Sequence, residues 1–162
     1  MKTLLTLLII LFSLSTNAKE LIGQVIKVVD GDTITILDTN KEQFKIRLSG
    51  IDAPEKRQAF GHVSKQSLSE LVAGKVVLVD YNKRDQYGRV IGKVLLENND
   101  INLEQIKRGL AWHYKQYERE QDVEDRSLYA QEEYLAQKGR IGLWKDKNPI
   151  PPWEYRKILR NK

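Results

Sequence analysis

The sequence predicts an α+β fold: a five-stranded β-barrel of OB type with three packed helices. Short runs rich in Val, Ile and Thr recur between Leu21 and Leu96, with turn residues between them. Segments with helically spaced apolar residues interrupt and follow those runs. The chain has 162 residues, enough for one hydrophobic core, and no cysteine that could staple a smaller one.

The elements follow in order. Leu21 to Val29 and Thr33 to Leu37 flank Asp30-Gly31, a hairpin signature. After the polar turn 38–41, the run from Gln43 to Ser49 alternates with period two. Phe44, Ile46 and Leu48 are expected to face the core, with Lys45 and Arg47 outward. Phe60 to Ala73 reads as a helix with Val63, Leu68, Leu71 and Val72 as its apolar stripe and Gly74 as its stop. Lys75 to Asp80 and Arg89 to Leu96 read as the fourth and fifth strands, joined by a polar loop at 81–88. Ile101 to Arg108 is a short helix ended by Gly109, and 122–138 is the last helix, with Leu128 and Leu135 seven residues apart. Pro149, Pro151 and Pro152 are expected to end regular structure and begin a basic tail. Five short strands interrupted by helices suit a small, partly open Greek-key barrel.

Residues 1–18 read as a secretory signal peptide: Lys2, an apolar run from Leu4 to Leu14, and Thr16-Asn17-Ala18 before the cut. The run is too short to span a bilayer comfortably. Export to the periplasm or the medium is the expectation, with no membrane anchor after cleavage and a monomeric product. Removing these residues takes one Lys and no acid, so the net charge falls from +5 to +4. With a pI near 9.3, this excess suits an anionic partner, nucleic acid or a membrane surface. The absence of cysteine excludes thiolate metal sites and Cys nucleophiles.

Three stretches carry the chemistry: Asp30-Gly31-Asp32-Thr33, Arg47 through Glu55, and Asp85-Gln86-Tyr87-Gly88-Arg89. If the second and third strands are antiparallel neighbours, Asp32 and Asp52 converge at one rim of the barrel, and Arg47 can point to the same rim. Two carboxylates with a backbone carbonyl and water suit calcium, which takes oxygen ligands in irregular geometry. Guanidinium forks such as those of Arg47 and Arg89 bind phosphate oxygens bidentately. Trp112, Tyr114 and Tyr117 lie beside His113 and Lys115, a pattern equally suited to base stacking and to barrel packing. Trp144 and Trp153 are expected to anchor the last helix and the tail, and His62 and His113 receive no role.

In these motifs, together with Gly109-Leu110-Ala111-Trp112, the chain closely resembles the staphylococcal nuclease-like (thermonuclease) family across residues 21–145. The segment from Pro149 to Arg156 resembles an extension of bacterial secreted members. The resemblance implies a nuclease-like OB-type domain over 19–147 and a Pro-rich basic tail over 148–162. It implies a calcium-dependent endonuclease that hydrolyses phosphodiester bonds of DNA and RNA to 3′-phosphate products, with magnesium as an alternative metal. Asp32 and Asp52 match the metal carboxylates, and Ala53 matches the residue that gives its carbonyl. Glu55 matches the residue proposed as general base, Arg47 and Arg89 the catalytic phosphate-binding arginines, and Asp30 a carboxylate near the metal. Tyr87 and Tyr117 match tyrosines that contact the nucleotide; Lys115 stands where the best-known member has another tyrosine. The competing readings are a non-catalytic OB-type nucleic-acid binder, which would not need carboxylates grouped around Arg47 and Arg89, and a protein that binds an anionic surface through residues 156–162.

Overall fold

A computed structural model describes residues 19–161. The long strand β1 (Lys19–Val28) pairs antiparallel with β2 (Thr33–Leu37) on one side and β5 (Val76–Arg84) on the other. Strand β3 (Gln43–Leu48) follows β2, and β6 (Val90–Leu96) follows β5, both antiparallel. β3 and β6 then pair in parallel, Ile46 opposite Val90 and Leu48 opposite Gly92, which closes five strands into a barrel. Full closure leaves these strands no open edges to template aggregation. Two-residue strands complete the sheets: β4 (Ile51–Asp52) pairs with β8 (Trp112–His113), and β7 (Asn99–Asp100) extends from β6.

Inward positions of the barrel strands form the core, with Ile34, Ile36, Ile46, Leu48, Val79 and Val90 wholly buried. Helix α1 (Gly61–Val72) adds Leu68 and Val72, and α2 (Ile101–Lys107) adds Ile106. Gly74, with φ +73°, ends the α1 region in a left-handed conformation that favours glycine. Helix α3 (Val123–Lys138) packs mainly on α2. No helix of the described residues is long and apolar enough to cross a membrane, and the expected signal peptide lies outside those residues.

Several elements differ from expectation. β5 continues to Arg84, so the polar loop shortens to 85–89. Val63 is 51% exposed, and the buried face of α1 runs instead through Gly61, Ser64, Ser67, Leu68 and Val72, with the Ser64 hydroxyl donating to the Leu110 carbonyl at 2.6 Å. On α3, Leu128 and Leu135 face outward, while Tyr129, Glu133 and Ala136 are buried. Polar anchors set that rotation. The Tyr129 hydroxyl donates to Asp100 Oδ2 at 2.7 Å, and Glu133 Oε1 accepts the His113 amide at 3.0 Å. The expected tail forms a further helix, α4 (Pro152–Arg160), which Pro152 opens. Proline suits the first helical turn because its missing N–H has no intrahelical partner there.

Candidate active site

Asp32 owes its position to a clamped turn. The Asp30 carboxylate accepts the Asp32 amide at 3.1 Å, an Asx-type closure that Asp favours. Gly31 is pressed from two sides: a Cβ there would overlap the Ser64 hydroxyl and come within 2.8 Å of Ala53 Cβ. Gln105 of α2, wholly buried, donates to the Gly31 carbonyl at 2.8 Å. Within this clamp Asp32 is 5% exposed, and its carboxylate accepts from the Thr33 hydroxyl at 3.0 Å and the Ala53 amide at 2.6 Å.

Antiparallel register sets Thr33 opposite Arg47, so Arg47 lies beside Asp32. The expected outward Arg47 instead folds inward, its side chain 12% exposed, because two carboxylates and two carbonyls draw it over the rim. Its Nη2 lies 3.2 Å from Asp32 Oδ2 and 2.9 Å from Asp52 Oδ1, and its Nη1 donates to the Leu48 and Ile51 carbonyls, both at 2.8 Å. Asp52 is fixed in β4 against Trp112 of β8. Burial pushes the Asp52 carboxyl up from its ordinary range, and Arg156 and Arg47 pull against that shift. Burial, with the adjacent Asp32 charge, pushes Asp30 up to about 6.

Arg89 is held differently. Asp85 Oδ2 accepts from its Nε at 2.7 Å, and Asp85 Oδ1 accepts its amide at 2.9 Å. Burial raises Asp85, but hydrogen bonds from Arg89 and Tyr87 outweigh it and hold the carboxyl below its usual value. The Nε contact leaves the two terminal nitrogens of the fork for another partner. The Arg89 guanidinium lies 5.6 Å from the Tyr87 ring centroid.

Asp32, Arg47, Asp52, Ala53, Glu55, Tyr87, Arg89 and Tyr117 all line one open groove of about 990 Å³. Tyr87 is 75% exposed on its loop, and Tyr117 sits in the 3₁₀ turn Lys115–Glu120, its ring edge-on to Tyr114 at 4.9 Å. Trp112 does not line the groove. It packs edge-on against Trp144 at 4.3 Å and Trp153 at 5.7 Å, while Tyr114 stays on the groove. His113 is buried, with Nε2 2.8 Å from Gln121 Oε1, and His62 lies outside the groove.

The groove also contains Arg156, which the sequence assigns to the basic tail and not to the site. Arg156 Nη2 lies 2.8 Å from Asp52 Oδ2, and its Nη1 lies 3.2 Å from Asp52 Oδ1 and 2.8 Å from Glu55 Oε1. Pro152 as a helix opener, with Trp153 and Arg156 three residues apart on one face, was the available signal. Gln105 carried none, since a single buried amide looks like any polar helix residue.

The donors suit a hard cation. Both Asp32 and Asp52 stand within 3.2 Å of one guanidinium nitrogen, so their negative charge converges on a single cationic position. No group of three or more His, Cys, Asp or Glu residues arranged for a metal occurs among the described residues. A metal here would therefore draw on two carboxylates, a backbone carbonyl such as that of Ala53, and water, an all-oxygen set compatible with calcium.

Barrel and groove together define an OB-type protein with paired carboxylates and a free guanidinium fork at its rim, a constellation suited to phosphodiesters. The profile of the Staphylococcal nuclease homologue family matches residues 45–146. An "Uncharacterized endonuclease" of Haemophilus influenzae is 43% identical over 158 residues, covering 96% of this chain and 85% of the relative. An Escherichia coli protein, also termed "Uncharacterized endonuclease", is 39% identical over 157 residues, 96% of this chain and 98% of its own. A "Micrococcal nuclease" of Shigella flexneri is 35% identical over 148 residues, 86% of this chain and 82% of its own. The chain belongs to the staphylococcal nuclease-like family.

Proposed function

We propose that this protein is a calcium-dependent endonuclease acting on DNA and RNA. The observation that carries the reading is the convergence of Asp32 and Asp52 on Arg47, in the same groove as Glu55 and the unshared fork of Arg89. Asp32, Asp52 and the Ala53 carbonyl would hold the cation. Such an ion supplies Lewis acidity to a phosphate oxygen and makes water a better nucleophile near neutral pH.

The chain's own residues do the rest. Glu55, its side chain 39% exposed, would accept a proton from the attacking water. The two free nitrogens of Arg89 hold phosphate oxygens and stabilise the charge that builds up on them. Arg47 neutralises the acidic rim, so that a polyanion can approach it. Tyr87 and Tyr117 offer rings to the bases, and such stacking tolerates any base. Contacts directed at phosphate favour both DNA and RNA as substrates. Attack that expels the 5′ oxygen leaves a 3′-phosphate. We infer further that the protein is exported through residues 1–18 and works as a monomer.

The test is cleavage of single-stranded DNA and of RNA with calcium, with chelator, and with calcium or magnesium restored, followed by end-group analysis. Cleavage that persists in chelator rejects the metal requirement. Binding without cleavage under all conditions favours a non-catalytic OB-type binder.

A further inference from the structure

Helix α4 is docked beside the groove by four contacts. Trp153 stacks on Tyr114 with ring centroids 5.5 Å apart and planes 12° from parallel, and it meets Trp112 edge-on at 5.7 Å. Gln58 Nε2 donates to the Ile150 carbonyl at 2.6 Å, and the Tyr155 hydroxyl donates to the Arg57 carbonyl at 3.2 Å. The exposed side of the helix carries Ile158 and Leu159, so its docking rests on the aromatic stack, these two hydrogen bonds and Arg156.

Arg156 bridges both oxygens of Asp52 and one of Glu55. Asp52 is 1% exposed, whereas the Arg156 side chain is 38% exposed. The fork therefore meets a desolvated carboxylate from the solvent side, on a flexible stem that can swing away without unpacking the barrel. Asp52 is the carboxylate that the proposed function assigns to the cation, and Glu55 the one it assigns to water. A guanidinium and a divalent ion repel each other, and both cannot occupy the outer face of Asp52.

We propose, on the basis of that functional reading, that Arg156 is a built-in counter-ion that competes with the metal for Asp52 and Glu55. In the metal-free protein it neutralises the two carboxylates. On metal binding its fork leaves them for the groove mouth, where a phosphate of the bound strand is the natural acceptor. Arg156 is thus a positioning residue that sets metal affinity, and an anionic strand that captures the released fork strengthens metal binding by linkage.

The test is calorimetric titration of calcium into the wild type, Arg156→Ala and Arg156→Gln, with melting temperature measured in chelator and in saturating calcium. The expected result is calcium affinity about tenfold tighter in both variants, within the usual range of coupled sites. Their melting temperatures should be lower in chelator and recover more on calcium addition. The glutamine variant preserves side-chain bulk, so it answers the question if the alanine variant folds poorly. Equal or weaker calcium affinity in the variants overturns the competition while the metal site itself stands. Absence of calcium binding to all three proteins overturns the metal assignment and the competition together.

Discussion

Asp85 holds Arg89 by its Nε and its amide, not by the tip of its fork. A carboxylate four residues upstream thus aims the guanidinium without using the nitrogens that a phosphate needs. Replacing Arg89 with Ala is expected to lower turnover by about 10²–10³, with the fold intact. Asp85→Ala should fall between wild type and that variant, with a loss of at most about 10², since it misplaces the fork without removing it. Steady-state cleavage of one oligonucleotide by the three proteins checks the order. Wild-type turnover in Asp85→Ala would show that Arg89 needs no orientation.

Arg47 stands between two buried carboxylates, so its removal acts on stability as well as chemistry. Arg47→Ala should cleave about 10²–10³ more slowly. It should also lose about 3 kcal/mol of stability in chelator, as expected when a partner is removed from a buried ion pair. Calcium should restore part of that loss, because a cation between Asp32 and Asp52 replaces the missing charge. Urea denaturation with and without calcium measures both effects.

Asp30 gives the metal-free protein a specific pH dependence. Its folded value of about 6 lies above the ordinary 3.8, so the fold prefers the protonated acid. The stability linked to this group is complete below about pH 4 and is lost as pH rises through about 6. Asp30→Asn keeps an oxygen for the Asp32 amide and removes the charge. In chelator it should be more stable than wild type at pH 7, by an amount on the order of 2 kcal/mol, with the difference vanishing near pH 4. Denaturation midpoints across pH 4–7 decide it.

Gly31→Ala should disturb the clamp on Asp32, because the added methyl overlaps Ser64 and crowds Ala53. A destabilisation of about 1–3 kcal/mol is expected, as for overpacking elsewhere. Calcium affinity should weaken in parallel. Unchanged affinity in the folded variant would mean that Asp32 is held independently of this turn.

Much of the site was legible because it depends on backbone register. The Asp-Gly turn marks the start of β2, the period-two run marks β3, and antiparallel pairing brings Asp32, Arg47 and Asp52 to one rim. The mix of strands and helices followed from the same pattern, whereas closure of the barrel rests on the parallel β3–β6 pairing, which strand periodicity does not encode. The rotation of α3 was not legible, since apolar spacing favoured Leu128 and Leu135, whereas hydrogen bonds from Tyr129 and to Glu133 chose the buried face. Such bonds join residues far apart in sequence and leave no periodic trace. The prolines near the C-terminus predict an end of regular structure because proline breaks a helix interior, yet Pro152 starts α4 and so delivers Arg156. Alternation predicts an outward Arg47 because it describes the strand and says nothing of a long side chain that curls back over its end.

The parallel seam between β3 and β6 has a kinetic consequence. It joins residues distant along the chain, Ile46 to Val90, and such non-local pairings slow folding because loop closure must be met before they form. Arg47 lies in that seam opposite Ile91, and Arg89 immediately precedes Val90, its neighbour across from Ile46. This slow pairing is also the one that brings both guanidinium groups to one mouth. A chain whose β3 and β6 have not yet paired lacks the register that sets Arg47 and Arg89 side by side.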